Sequence, residues 1–221
     1  MTTVRKKQKG KEKATERKSA KRRGARKRPA TRRSVPRYVD TKGKTKLHLA
    51  CGKDIKRGYI NVDIVKLPGI DFQMDITKVP YPFRDNSMDV VEAHCIFEHL
   101  LDYVSIVREV YRILRPGGKF RITVPHFSSP GVFTDPTHYR GFTWVTFDFF
   151  VKGNARNYYF DFAYSKVEKK IGFYKGIHFY NHVMEWLVNA TTKLTPEAPL
   201  YEYTFWKSLF PAQRLYVTLT K

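Results

Sequence analysis

Asp63 closes a stretch, Lys46 to Asp63 (KLHLACGKDIKRGYINVD), whose residue types suit the binding of an adenosine. Leu47-His48-Leu49-Ala50 reads as a buried strand that breaks at a small-residue turn, Ala50-Cys51-Gly52, and a second strand runs from Tyr59 to Ile64. A turn of small residues lets backbone N–H groups approach a ligand, and a carboxylate ending the next strand can accept from both ribose hydroxyls. The plainer alternative for Asp63 is an exposed acid that caps a strand end. Asp75 is a weaker candidate, because an acid beside a turn is common for local reasons.

Proton transfer needs a group that titrates near neutrality, and histidine does. His126, at the end of a strand, and His138, in the polar loop Thr134–Arg140, are the candidates for an acceptor side, with Asp135 placed to orient either one. The alternative for each is ordinary loop hydrogen bonding. Cys95 is expected to be a small buried thiol. For Glu98 and His99 a structural role is expected, with the glutamate suited to the positive end of a helix. His94, Glu98, His126 and His138 lack the close spacing of a structural metal site, so no metal is expected.

Positioning these residues requires alternating strands and helices. Further strands are expected at Asp71–Ile76, Met88–Ala93 and Lys119–Val124. The helical spacing of Leu100, Val104, Val107, Val110, Tyr111 and Leu114 predicts a helix within 96–114, stopped by Arg115-Pro116-Gly117-Gly118. Only eight residues, Cys51 to Gly58, separate the first two strands, where a helical crossover takes about a dozen or more. A loop rich in glycine and basic residues is expected there instead. Beyond Pro130 the pattern predicts an aromatic helix over Thr143–Val151, a strand pair within Phe160–Tyr174, helices over His178–Thr191 and Tyr201–Phe210, and an alternating strand at Gln213–Thr220. The aromatic stripe from Phe142 to Phe150 reads as core or lid rather than as a base-stacking platform. This order argues for a doubly wound α/β sheet.

The chain of 221 residues carries a formal charge of +22, and the charge is concentrated. Residues 1–37 hold 17 of the 42 lysines and arginines but only 2 of the 20 acids, about two thirds of the excess. Besides Met1, Val4 and Val35 are the only large apolar residues before Tyr38, so residues 1–40 are expected to be a disordered basic arm ahead of a folded domain at 41–221. Lys21, Arg22, Arg23, Arg26, Lys27 and Arg28, with Arg32 and Arg33, form a polyanion-binding pattern for DNA or RNA, indifferent to sequence. A targeting signal or a solubilising tail is the alternative. Two cysteines, and no apolar run of the length that spans a bilayer, lead to the expectation of a cytoplasmic protein, or a nuclear one in a eukaryote.

Four motifs in order carry a family resemblance. Leu47–Gly52 resembles an LxLGCG loop followed by the acid Asp63. Asp75-Ile76 ahead of Pro80-Tyr81-Pro82-Phe83 resembles a second segment. Arg108–Gly118 resembles a helix ending in an LKPGG turn, and a fifth strand follows. Over residues 45–127 the chain is similar to the class I S-adenosylmethionine-dependent methyltransferases, in a short-loop branch of the type 11 kind. The resemblance implies a Rossmann-like seven-stranded, mostly parallel sheet with an antiparallel last strand, and S-adenosylmethionine as cofactor. It places Ala50, Cys51 and Gly52 under the methionine and sugar, Asp63 with Ile64 at the ribose, Asp75 and Ile76 at the adenine, and His94 beside the sulfonium. Ala50 stands where the family has glycine, so a positive φ there would be strained. Three readings stay open: a methyltransferase acting on or tethered to nucleic acid, an inactive nucleic-acid- or ribonucleoprotein-binding relative, and a methyltransferase of a small molecule or glycan.

Overall fold

Leu47 and Leu49 face one side of a central sheet and His48 the other. The computed structural model describes residues 38–174, 180–192 and 200–221. Seven strands form: β1 (Lys46–Leu49), β2 (Ile60–Asp63), β3 (Phe72–Gln73), β4 (Met88–His94), β5 (Leu114–Pro125), β6 (Lys166–Gly172) and β7 (Arg214–Thr220). They lie in the order β3-β2-β1-β4-β5-β7-β6. Strands β1 to β5 pair in parallel, and β7 runs antiparallel to both of its neighbours. The expected mostly parallel sheet with an antiparallel last strand is therefore present.

Register aligns the apolar face across the sheet. Leu47 pairs with Ile60 and Val91, and Leu49 with Val62 and Ala93. Phe120, Ile122 and Val124 continue that face on β5, opposite Leu219, Val217 and Leu215 of β7. Helix α1 (Tyr103–Ile113) covers it with Ile106, Val107, Val110 and Ile113, all buried. Asp102 caps this helix by accepting from Ser105 N at 3.0 Å, a contact worth about 1 kcal/mol. Phe97, Tyr103, Phe142, Phe147 and Phe150 pack beside it in tilted, edge-to-face and stacked pairs, so the aromatic stripe belongs to the core.

Helix α1 also anchors the chain that leads into β4. Glu109 accepts from Tyr81 N at 2.6 Å, and Arg112 donates to Tyr81 O and Phe83 O while pairing with Glu109 and Asp85. Tyr81 in turn donates its hydroxyl to Ile76 O at 2.8 Å. One helix thus fixes the segment carrying Asp75.

The opposite face is polar: His48, Asn61, Glu92, His94, Arg121 and Thr123 lie on it by alternation. No helix follows β1, as expected, and the loop 51–59 folds over this face instead. Lys56 Nζ reaches Glu92 Oε2 at 2.5 Å, and Tyr59 donates to Glu92 Oε1 at 2.8 Å.

Several expectations need correction. Residues 160–174 contribute one strand, β6, not a pair; its other edge is sealed by Asn189 of α2 (Tyr180–Thr191), which accepts from Ile171 N and donates to Ile171 O. Residues 143–151 form only a 3-10 turn, Thr146–Phe150. The predicted helix over Tyr201–Phe210 splits into two single turns, Leu200–Tyr203 and Trp206–Leu209. The long helix expected within 96–114 is a 3-10 turn, Phe97–His99, followed by α1. The start of the predicted helix at His178 lies outside the described residues. Among the described residues no helix is long and apolar enough to cross a membrane.

Candidate active site

Strand β1 ends in two consecutive devices for bending the backbone towards a ligand. Ala50 takes a left-handed conformation with φ +49°, and Gly52 follows with φ +52°. For glycine this conformation is free of strain, but for alanine it costs roughly 1–2 kcal/mol. Between them Cys51 N donates to Val62 O at 3.0 Å, which holds the turn against β2. The Cys51 thiol is buried, and burial pushes its pKa up.

Asp63, only 9% exposed, meets this turn directly. Its Oδ2 accepts from Gly52 N at 2.8 Å and its Oδ1 from Val65 N at 2.9 Å. Each oxygen has capacity for a second donor, the requirement for holding a vicinal diol. A side chain built at Gly52 would meet nothing within 4 Å, so the space over the turn is open. Ile64 and Val65 present exposed apolar surface next to the acid, 60% and 54% respectively. An open turn, a carboxylate with spare acceptor capacity and an apolar shelf fit an adenosine.

The other expected cofactor residues are placed less simply. Asp75 Oδ1 accepts from Thr77 N and Thr77 Oγ1 at 3.0 and 2.7 Å, which holds its carboxyl below the usual carboxylate range and closes a local turn. The Ile76 side chain is buried in the core, and its carbonyl accepts from the Tyr81 hydroxyl at 2.8 Å. His94 ends β4 with both ring nitrogens engaged. Nδ1 lies 2.9 Å from Thr123 Oγ1, and Nε2 lies 2.9 Å from Lys56 Nζ. Nε2 also lies 3.3 Å from Glu92 Oε2, so it sits between an ammonium and a carboxylate.

Around His94 the polar face forms a network that sequence spacing did not reveal. Burial pushes the Glu92 carboxyl up, but hydrogen bonds from Lys56 and Tyr59 outweigh it and bring the pKa down to about 2. His48 is lowered to about 4 by burial and by the nearby Lys56 charge. The signal available in the sequence was the alternation of polar residues along β4 and β5, Glu92-His94 and Arg121-Thr123.

His126 requires correction as a candidate base. It is 0% exposed, its Nδ1 lies 2.8 Å from Ser128 Oγ, and its Nε2 lies 2.9 Å from Glu202 Oε1. Glu202 also accepts from Trp144 N at 2.7 Å. A sealed ring with both nitrogens engaged ties the chain's last third to β5 and has no route to an acceptor. His138 is different: it lies in the loop beyond β5, with Nδ1 at 3.2 Å from Val132 O, and its ring sits 4.5 Å from that of His99. Asp135 acts on this loop through Thr137, accepting from both its N and its Oγ1. Cys95, expected to be buried, is exposed, with φ +49°. The basic residues Lys21, Arg22, Arg23, Arg26, Lys27, Arg28, Arg32 and Arg33 lie outside the described residues.

Residues 47–122 match the family described as "Methyltransferase domain". A protein of Mycolicibacterium smegmatis named a probable S-adenosylmethionine-dependent methyltransferase is 32% identical over 120 residues, covering 44% of this chain and 46% of that protein. Over residues 47–122 the chain is similar to S-adenosylmethionine-dependent methyltransferases. Its fold is similar to that of a SAM-dependent methyltransferase from Archaeoglobus fulgidus, with TM-score 0.50 and 16% identity over 80% of this chain and 85% of that one. The chain spans about half the length of the curated relative it matches. The matched region contains Ala50–Gly52, Asp63, Asp75 and His94, but not the loop that carries His138.

Proposed function

We propose that the protein transfers a methyl group from S-adenosylmethionine to an oxygen or nitrogen acceptor, and that its basic arm tethers it to nucleic acid. The observation that carries the first part is the pairing of Gly52 N with Asp63, which puts an ordered carboxylate beside an open turn. When bound, the cofactor supplies an already activated methyl group, so the protein's task is positioning. Asp63 would bind the ribose hydroxyls through the remaining capacity of its two oxygens. Ala50, Cys51 and Gly52 would lie under the sugar and methionine, with Ile64 beside the ribose and Asp75 towards the adenine. The acceptor would enter past the carboxyl ends of β4 and β5, where ligands sit in sheets of this kind, between His94 and the loop bearing Asp135 and His138.

The tether rests on composition: 17 basic residues within 37 positions neutralise phosphates, release counterions and give salt-sensitive binding. A cytoplasmic setting fits the two unpaired cysteines. The strained backbone at Ala50 favours a second reading, in which the domain has lost transfer and serves as a nucleic-acid-bound scaffold.

Incubating the full chain with methyl-labelled S-adenosylmethionine and, separately, RNA, DNA and a small-molecule extract separates these readings. Label entering a nucleic acid, and less of it after removal of residues 1–37, supports the proposal. Label in small molecules alone removes the nucleic-acid part, and no transfer to any pool favours the scaffold.

A further inference from the structure

Glu98, His99 and His138 are 40 residues apart at their extremes, yet the fold brings one ligand-type atom of each to within 4.8 Å of the others. Glu98 and His99 belong to the 3-10 turn after β4 and His138 to the loop after β5. A backbone bond from Tyr139 N to Glu98 O, 2.8 Å, ties the two segments together.

The hydrogen bonds around the two rings fix which nitrogen is free. The Val132 carbonyl can only accept, so His138 Nδ1 carries the proton and Nε2 keeps its lone pair. Thr137 commits its hydroxyl proton to Asp135 Oδ1 at 2.6 Å. Its oxygen therefore accepts from His99 Nδ1 at 2.8 Å, which leaves His99 Nε2 unprotonated as well. A carboxylate–threonine–histidine chain and a carbonyl–histidine pair are the kind of outer support that orients imidazoles around a metal.

Glu98 supplies an independent sign. It is 2% exposed, and its Oε2 is buried without a hydrogen-bond partner. A buried carboxylate oxygen left without a donor carries a large desolvation cost unless a cation or proton meets it. Two imidazoles stand beside it, and the Nε2 of His138 lies 3.9 Å from Asp135 Oδ2, beyond hydrogen-bond distance.

We propose that Glu98, His99 and His138 bind one divalent transition-metal ion, zinc by its ligand chemistry. Two imidazole nitrogens and one carboxylate oxygen make a three-ligand set that leaves a fourth position open, as in catalytic rather than structural zinc sites. Ligands about 2.0–2.2 Å from a tetrahedral zinc lie roughly 3.4 Å apart, so side-chain rotations of about an ångström close the site. The metal site itself does not depend on the methyltransferase reading. The sequence gives only the adjacent pair Glu98-His99; the third ligand comes from a separate loop.

Cobalt(II) tests this directly, because in such a site it absorbs visible light with an intensity that reports coordination. The full chain, freed of metal and titrated with cobalt, is expected to take up one equivalent with tetrahedral or five-coordinate absorption, displaced by zinc. Glu98→Gln and His138→Gln should abolish that signal. Thr137→Val, which leaves all three ligands in place but removes the support of His99, should weaken affinity by about 10–100-fold. Circular dichroism would confirm that each variant is folded. If Glu98→Gln or His138→Gln unfolds, the Thr137→Val titration still decides. Absence of stoichiometric uptake by the parent chain, or uptake unchanged in the folded variants, would overturn the proposal.

Discussion

Gly52 N donates to Asp63 Oδ2 across 2.8 Å, joining the turn after β1 to the acid that ends β2. The bond does two things at once. It fixes the carboxylate's orientation, and it holds the turn in the left-handed conformation that Ala50 enters at φ +49°.

That conformation is natural for glycine and strained for alanine. Ala50→Gly removes a strain of about 1–2 kcal/mol but gives the unfolded chain about 0.4–1 kcal/mol of added entropy. A net stabilisation of about 0.5–1 kcal/mol is expected, seen as a higher denaturant midpoint with an unchanged slope. A lower midpoint would mean that the alanine methyl contributes packing that outweighs the strain.

Glu202 accepts from both His126 Nε2 and Trp144 N in a buried position. Removing the carboxylate leaves two buried groups without their partner, so Glu202→Ala is expected to cost about 3–5 kcal/mol. Equilibrium unfolding measures this, and a loss below about 1 kcal/mol would show that the contact is not structural.

Acid should destabilise the domain in two windows. His48 has its pKa lowered from 6.5 to about 4 in the folded state, so the unfolded chain binds the extra proton first. Stability is then complete above pH 6.5 and falls as pH drops towards 4, at up to about 1.4 kcal/mol per pH unit. Glu92, lowered from 4.5 to about 2, extends the loss across that lower range. His48→Asn should flatten the upper window and leave the lower one. Unfolding midpoints measured from pH 7 to 3 for both proteins check this, and equal slopes above pH 5 would contradict it.

Local signals carried much of the fold. The alternation Leu47-His48-Leu49 set the two faces of the sheet, and Asp63 followed from its position at the end of the second apolar run. The helical spacing of Val107 and Val110 located α1, which starts at Tyr103 and ends at Ile113, one residue before β5 begins. Long-range partners were not legible. Nothing near His126 announces Glu202, 76 positions away, so a fully buried structural ring resembled a base. Glu98 and His138 look unrelated until β4 and β5 bring their following loops together. Lys56 sits in a loop with other basic residues, and only the absence of a crossover helix lets it fold back onto Glu92.

The central claim is that the turn and Asp63 together bind the cofactor's adenosine. Calorimetric titration of the full chain with S-adenosylhomocysteine, beside Asp63→Ala shown to be folded by circular dichroism, tests it most directly. The parent is expected to bind one equivalent, and the variant to bind about 10–100-fold more weakly through loss of charge-assisted hydrogen bonds. Equal affinity in the two proteins, or no binding heat from the folded parent, would contradict the account.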